Sequence, residues 1–216
     1  MYIPELNTYF IHIPKCGGTS IEMYFFNKIC GFPELKPLNI FNQLGREVGS
    51  RYHFGNATPE RMRTGETQHL SAWQLKKWGM KEFTEANYTF AFVRNPWHRF
   101  VSETIWKQQR LGITRHTFAR QIQLQVLESD PNNLKTTVPH NMPQWKFVYD
   151  ENDKLLVDDV FKLEDIRNAE TIISEKLGRK VDFSHVNKTE KKDYNEYLTP
   201  HIKKSLLPYI EKDLEM

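Results

Sequence analysis

Two short segments carry residue types whose spacing suits the binding of an anion. In Pro14-Lys15-Cys16-Gly17-Gly18-Thr19-Ser20 the glycines let backbone N–H groups approach a ligand closely. A helix opening there would add unpaired N–H groups and the positive end of its dipole. Thr19 and Ser20 add hydroxyl donors, and Lys15 supplies a mobile point charge. An ordinary strand-to-helix turn with an incidental lysine would read the same way, because a lone Gly-Gly pair is weakly specific. In Val93-Arg94-Asn95-Pro96, with Ser102 eight residues after the arginine, a guanidinium leaves a strand end beside a helix N-terminus. It offers planar, charge-assisted hydrogen bonds to a phosphate monoester. The alternative makes Arg94 a surface ion-pair residue and Ser102 a solvated helix position. Eight histidines supply candidates for proton transfer near neutral pH.

The elements that must position these residues follow from the apolar pattern. Tyr9-Phe10-Ile11-His12-Ile13 reads as a buried strand and Thr19 to Ile29 as a helix, with Ile21, Phe25 and Ile29 on one face. Residues 31–68 hold scattered Pro, Gly, Asn and Thr and are expected to be irregular, in the service of a site. A short helix is predicted over Ser71 to Lys77, with Ser71 as N-cap and Gly79 at its end. Tyr88 to Val93 is the clearest strand. A helix follows it, with Asn95 as N-cap and Pro96 at the first helical position. Another helix is predicted over Arg115 to Glu128. Phe147-Val148-Tyr149 and Leu155-Leu156-Val157 are predicted to form a hairpin, and Val160 to Leu163 a further strand. Ile166 to Leu177 reads as a helix closed by Gly178, and Pro200 to Leu214 is amphipathic and charged. Alternating strands and helices predict an α/β chain, read as one domain over residues 1–216.

In the order they occur, these segments resemble a known family. Phe10-Ile11-His12-Ile13-Pro14-Lys15-Cys16-Gly17-Gly18-Thr19-Ser20 is similar to the 5′-phosphosulfate loop of sulfotransferases. These enzymes use 3′-phosphoadenosine 5′-phosphosulfate (PAPS). Phe90 to Ser102 is similar to their 3′-phosphate signature, with its Arg-Asn-Pro and a serine eight residues after the arginine. The closer likeness is to the branch containing Golgi carbohydrate sulfotransferases and their soluble bacterial relatives. Many of its members carry Thr where this chain has Cys16, a departure of little consequence where backbone N–H groups make the contact. Gln68-His69-Leu70-Ser71-Ala72, Pro143-Gln144 through Asp158, Asn187-Lys188-Thr189 and Tyr194 to Tyr197 resemble further family segments. The likeness runs from Tyr9 to about Leu214.

The resemblance implies a P-loop-like three-layer α/β/α sandwich with a mainly parallel sheet, ligands lying at the C-terminal strand ends. It implies PAPS as sulfuryl donor, bound by Lys15, Cys16, Gly17, Gly18, Thr19, Ser20, Arg94 and Ser102. Lys188 and Thr189 would close over the nucleotide, and Arg99 would brace the loop. His69 lies where the carbohydrate enzymes carry their catalytic histidine and is the implied base, with Lys15 stabilising the bridging oxygen of the leaving phosphate. His53 is the runner-up base. His12 is expected to pack or bond locally, His140 to line an acceptor groove, and His98 to lie at the surface. The implied reaction is direct in-line transfer to a hydroxyl, on a carbohydrate in the favoured reading and on a small molecule or peptide in the alternative. No covalent enzyme intermediate and no metal is required. Arg46, Arg51, Arg61 and Arg63 are candidates to face an anionic sugar chain, and Trp73, Trp78, Trp106 and Trp145 to stack on sugar rings or pack in the core.

Composition bounds the rest. The chain has 216 residues, 39% of them hydrophobic and 13% aromatic, which excludes a disordered chain. Lys+Arg 30 against Asp+Glu 27 is too balanced to imply nucleic acid. No apolar run reaches the length of a membrane span, and the first residues do not read as a secretory signal. Cys16 and Cys30 form neither a disulfide framework nor a zinc spacing, so a reducing cytoplasm is expected. Oligomeric state is not legible. Lysine lies before the glycines of the first loop, not after them as in a Walker loop, which disfavours a kinase-like phosphoryl transferase. A non-catalytic module retaining the nucleotide pocket is the remaining rival.

Overall fold

The computed structural model describes residues 1–36, 40–53, 68–112, 114–128, 139–183 and 194–216. Four strands form one sheet in the order β1 (Tyr2–Ile3), β2 (Thr8–Ile11), β3 (Tyr88–Val93), β4 (Asp159–Lys162). β1 runs antiparallel to β2, whereas β2, β3 and β4 are mutually parallel. Every residue of β2 and β3 is buried, as the near-continuous apolar runs require of strands covered on both faces. Phe10 pairs with Phe90 and Phe92 with Phe161 across the ladders. Helices flank this mostly parallel sheet, the expected α/β/α layering.

Parallel pairing has a direct consequence for the site. Ile11 stands opposite Ala91, so β2 and β3 end at the same edge of the sheet. The glycine turn after β2 therefore emerges beside Arg94 after β3. From the turn runs α1 (Gly18–Lys28) and from Asn95 runs α5 (Pro96–Leu111). Between them lie α2 (Ile40–Arg51), α3 (Ala72–Lys77) and α4 (Lys81–Thr84). After α5 come α6 (Arg115–Glu128), the short α7 (Trp145–Val148), α8 (Ile166–Leu177) and α9 (Pro200–Glu215).

The main core surrounds the sheet. A second cluster joins Phe100, Val101 and Ile105 of α5 to Phe118 and Ile122 of α6 and Ile202, Leu206 and Ile210 of α9. Its centre is the stacked pair Phe100–Phe118, with ring centroids 5.3 Å apart.

Two expectations need correction. Within residues 31–68, Ile40–Arg51 is helical, with a break at Gly45 (φ 72°). Ile40 and Leu44, one turn apart, are buried there, a stripe hidden in the sequence by its polar and glycine neighbours. The predicted hairpin is reduced to one antiparallel bridge, Tyr149 with Leu155. Trp145–Val148 instead forms α7, because the Asp213 carboxylate accepts from the N–H groups of Gln144 and Trp145, at 2.9 and 2.8 Å, and caps the turn.

Candidate active site

The glycine turn is shaped by packing as well as by chain reversal. Lys15 and Gly17 both adopt left-handed backbone, φ 67° and 82°, the second in a region where glycine is unstrained. A methyl group on Gly18 would sit 2.0 Å from Nε2 of His12, so Gly18 is required by close approach of a buried ring. α1 begins without a side-chain cap, and Gly18, Thr19 and Ser20 form its first turn. The Ser20 N–H donates to Gly17 O at 3.0 Å, and the N–H groups of Gly18 and Thr19 at the positive helix end suit an anion.

One buried amide ties this turn to the second motif. Gln144, fully buried, accepts from Arg94 N–H through Oε1 at 2.8 Å and donates through Nε2 to the Arg94 carbonyl at 2.9 Å. The same Oε1 accepts from the Cys16 thiol at 3.1 Å. Burial pushes that thiol up to about 12, so it stays protonated and donates. Cys16 thus points its thiol at Gln144, and its backbone N–H donates to the Ile13 carbonyl at 3.3 Å. From α5, Arg99 donates to Pro14 O at 3.0 Å and to Met142 O at 2.9 Å, and so braces the loop.

The guanidinium of Arg94 makes only long contacts, to Lys15 O at 3.5 Å and to the Tyr194 hydroxyl at 3.4 Å, which leaves donor capacity for an oxyanion. The Tyr194 ring stacks on His98 at 4.8 Å. His98, Ser102 and Trp106 follow one another at four-residue steps along α5 and so share one face. Trp106 in turn lies under Lys15, whose ammonium is 5.8 Å from the ring centroid. Half-buried Ser102 therefore stands on the face that runs from the Arg94–Tyr194 contact to Lys15. Burial lowers the Lys15 pKa, and its ammonium makes no hydrogen bond among the described residues.

A chain of rings leads from Lys15 into the interior. Trp106 stacks on His140 at 5.2 Å, and His140 meets His69 edge to face at 5.1 Å. His69 meets His12 at 4.5 Å. Ser71 caps α3 in a reciprocal capping box with Gln74, which sets His69 just ahead of the helix. His69 Nδ1 lies 3.0 Å from the carbonyl of His12. A carbonyl only accepts, so Nδ1 carries the proton and Nε2 the lone pair. Burial, then the neighbouring His12 and His140, hold the imidazole well below its usual range, so the ring is neutral at pH 7. His12 is itself fixed by Glu22, Nδ1 to Oε1 2.6 Å, with Gln68 donating to the other carboxyl oxygen at 3.0 Å. Burial drives both toward neutral forms, pushing Glu22 up to about 8 and His12 down.

The structure thus brings Lys15, Cys16, Gly17, Gly18, Thr19, Ser20, Arg94 and Ser102 to one sheet edge, with His69 joined to Lys15 through ring contacts. Lys188 and Thr189 lie outside the described residues, as do Arg61 and Arg63. His53 is elsewhere: its Nδ1 bonds the Tyr9 hydroxyl at 3.1 Å and its ring packs on Tyr2 and Tyr9. Arg51 pairs with Glu5. Of the four candidate tryptophans, Trp106 borders the site, whereas Trp73 lies beside Lys77, Trp145 beside Lys212, and Trp78 packs against the main core. Gln144, Glu103 and Asp213 escape sequence reasoning, because nothing in their local spacing marks a long-range hydrogen bond. Among the described residues, no three His, Cys, Asp or Glu side chains are grouped to hold a metal ion, and no helix is long and apolar enough to cross a membrane.

No curated protein and no solved structure matches the chain. A family model described as "Sulfotransferase family" matches residues 1–198, a span that holds the glycine turn, Arg94, Ser102, His69 and Gln144. The chain belongs to the sulfotransferase family.

Proposed function

We propose that this chain, read as one domain over residues 1–216, moves the sulfuryl group of PAPS to a carbohydrate hydroxyl by direct in-line transfer. The donor set fits such a nucleotide: an uncapped helix start and a lysine at one loop, and an under-used guanidinium with a nearby hydroxyl at the other. The bound nucleotide supplies the activated sulfuryl group. Arg94 and Ser102 hold the 3′-phosphate. The backbone of Lys15 to Gly18, with Thr19 and Ser20, holds the 5′-phosphosulfate, and Lys188 and Thr189 are further nucleotide ligands. Lys15 donates to the bridging oxygen as negative charge grows there. Nε2 of His69 accepts the acceptor proton. No covalent enzyme intermediate forms. Free, buried Cys16 and Cys30 support a reducing, cytoplasmic setting.

One observation carries the reading: a neutral His69, its Nδ1–H tied to a backbone carbonyl, is linked through His140 and Trp106 to the lysine of the glycine turn. The test is turnover of labelled PAPS against sugars, phenols and peptides. Sulfated sugar is the expected product. Transfer only to phenols or peptides would replace the carbohydrate assignment, and nucleotide binding without any transfer would point to a binding module.

A further inference from the structure

Beside His69 stands a second imidazole with a different support. His140 lies in the 3-10 turn Pro139–Asn141, and its Nδ1 is 2.9 Å from both carboxylate oxygens of Glu103 on α5. The Glu103 side chain is 2% exposed and that of His140 22%. A carboxylate accepts, so Nδ1 of His140 carries the proton and its Nε2 is left as the basic nitrogen. The ring is held flat on Trp106 and edge-on to His69.

The two histidines differ in what they can do after taking a proton. His69 has a backbone carbonyl behind it and no carboxylate, and burial opposes its charging. His140 has a buried carboxylate in contact, the arrangement that stabilises an imidazolium as it forms. We propose that His140, supported by Glu103, is a second proton-accepting group for the acceptor hydroxyl, sharing that task with His69. The acceptor O–H bond breaks as its oxygen bonds sulfur, the proton passes to Nε2 of His140, and the leaving phosphate departs with the electron pair of the broken S–O bond. This inference rests on the sulfotransferase reading of the site. Other charged or titratable groups around His140 are His69 in ring contact and His12 behind it, Lys15 and Arg110 against the Trp106 ring, Lys107 bonded to the neighbouring Asn141, and Arg99 lining the same cavity. Asp213 of α9 lines the same cavity. Glu103 is the carboxylate in contact.

The pH–rate profile of Glu103→Gln decides it. Gln keeps an acceptor for Nδ1–H but removes the charge, so the acid limb should move to lower pH by half a unit or more, with a several-fold lower kcat. NMR titration of the His140 ring in the nucleotide-free protein should show the same downward move. His140→Gln should lower kcat at least tenfold with nucleotide affinity unchanged. His69→Ala should keep an acid limb that disappears when His140→Gln is added. An unmoved limb and an unmoved His140 titration in Glu103→Gln would overturn the proposal, as would a kcat within twofold in His140→Gln. Loss of the His69 effect with the His140 effects intact would instead overturn only the assignment of His69.

Discussion

Gln144 is the residue on which both anion loops depend, and Gln144→Leu tests that dependence. The substitution removes two amide hydrogen bonds to the backbone of Arg94, 2.8 and 2.9 Å, and one from the Cys16 thiol, 3.1 Å. Net hydrogen bonds contribute about 0.5–1.5 kcal/mol each, and a polar group left without a partner costs roughly 1–3 kcal/mol when buried. Arg94 is half-buried, so water recovers part of that second cost. Leucine nearly conserves the volume, which keeps the cavity contribution small. The sum is about 3 kcal/mol. For a chain of this size that lowers Tm by about 6–12 °C. The same change frees Arg94 and the glycine turn to move apart, so affinity for 3′-phosphoadenosine 5′-phosphate should fall at least about tenfold. Cys16→Ala deletes only the weakest of the three bonds and should cost roughly 1 kcal/mol. Thermal unfolding and calorimetry read both quantities. A Gln144→Leu protein with unchanged Tm and unchanged nucleotide affinity would refute the reasoning.

Three further outcomes follow from the same geometry. Arg94→Ala should weaken binding of 3′-phosphoadenosine 5′-phosphate at least about tenfold while leaving ADP affinity nearly unchanged, since a charged hydrogen bond contributes roughly 1.5–3 kcal/mol; equal losses for both nucleotides in calorimetry would remove the 3′-phosphate assignment. Gly18→Ala places a methyl 2.0 Å from Nε2 of His12, a buried ring held by Glu22, and should cost roughly 1–3 kcal/mol in urea unfolding; an unshifted midpoint would contradict that packing. The folded-state pKa of Glu22, raised by burial from 4.5 to about 8, stabilises the fold at low pH and loses that contribution as pH rises through 8. His12 and His69 are shifted down, so their contribution is lost as pH falls below 6.5, and the N-terminal ammonium, pushed down by burial to about 5, adds a slope opposite to that of Glu22 up to pH 8. The difference between variant and wild type isolates Glu22: the stability of Glu22→Gln should rise relative to wild type between about pH 4.5 and 8, and parallel curves would count against a neutral Glu22.

What was legible in the sequence was mostly local. The strand Tyr88–Val93 and the helix Ile166–Leu177 with its closing Gly178 stand out as apolar runs bounded by stop signals. Asn95 and Pro96 announce the start of α5 because capping chemistry is written in adjacent residues. The glycine turn was legible as a turn, but its second glycine is needed for the ring of His12, a contact no spacing rule reveals. The two-residue β1 and the glycine-broken α2 lacked a long enough period to read. The site followed the same division. Lys15 and Arg94 could be picked from their places after strands. Gln144 and Glu103 act across 128 and 37 residues of chain respectively, and only the folded packing brings them to their partners. His53 and His69 could not be told apart by residue type; what separates them is that the ring of His69 contacts His140, whereas that of His53 packs on Tyr2 and Tyr9.

The most direct test of the account measures PAPS turnover and nucleotide affinity together in His69→Ala. Because Nε2 of His69 is assigned to the acceptor and not to the nucleotide, affinity for 3′-phosphoadenosine 5′-phosphate should stay within about twofold, whereas kcat should fall by about 10²–10⁴, the usual contribution of a general base. A protein that transfers the sulfuryl group at nearly the wild-type rate, or one that loses nucleotide binding along with turnover, would contradict the assignment of His69 as the base.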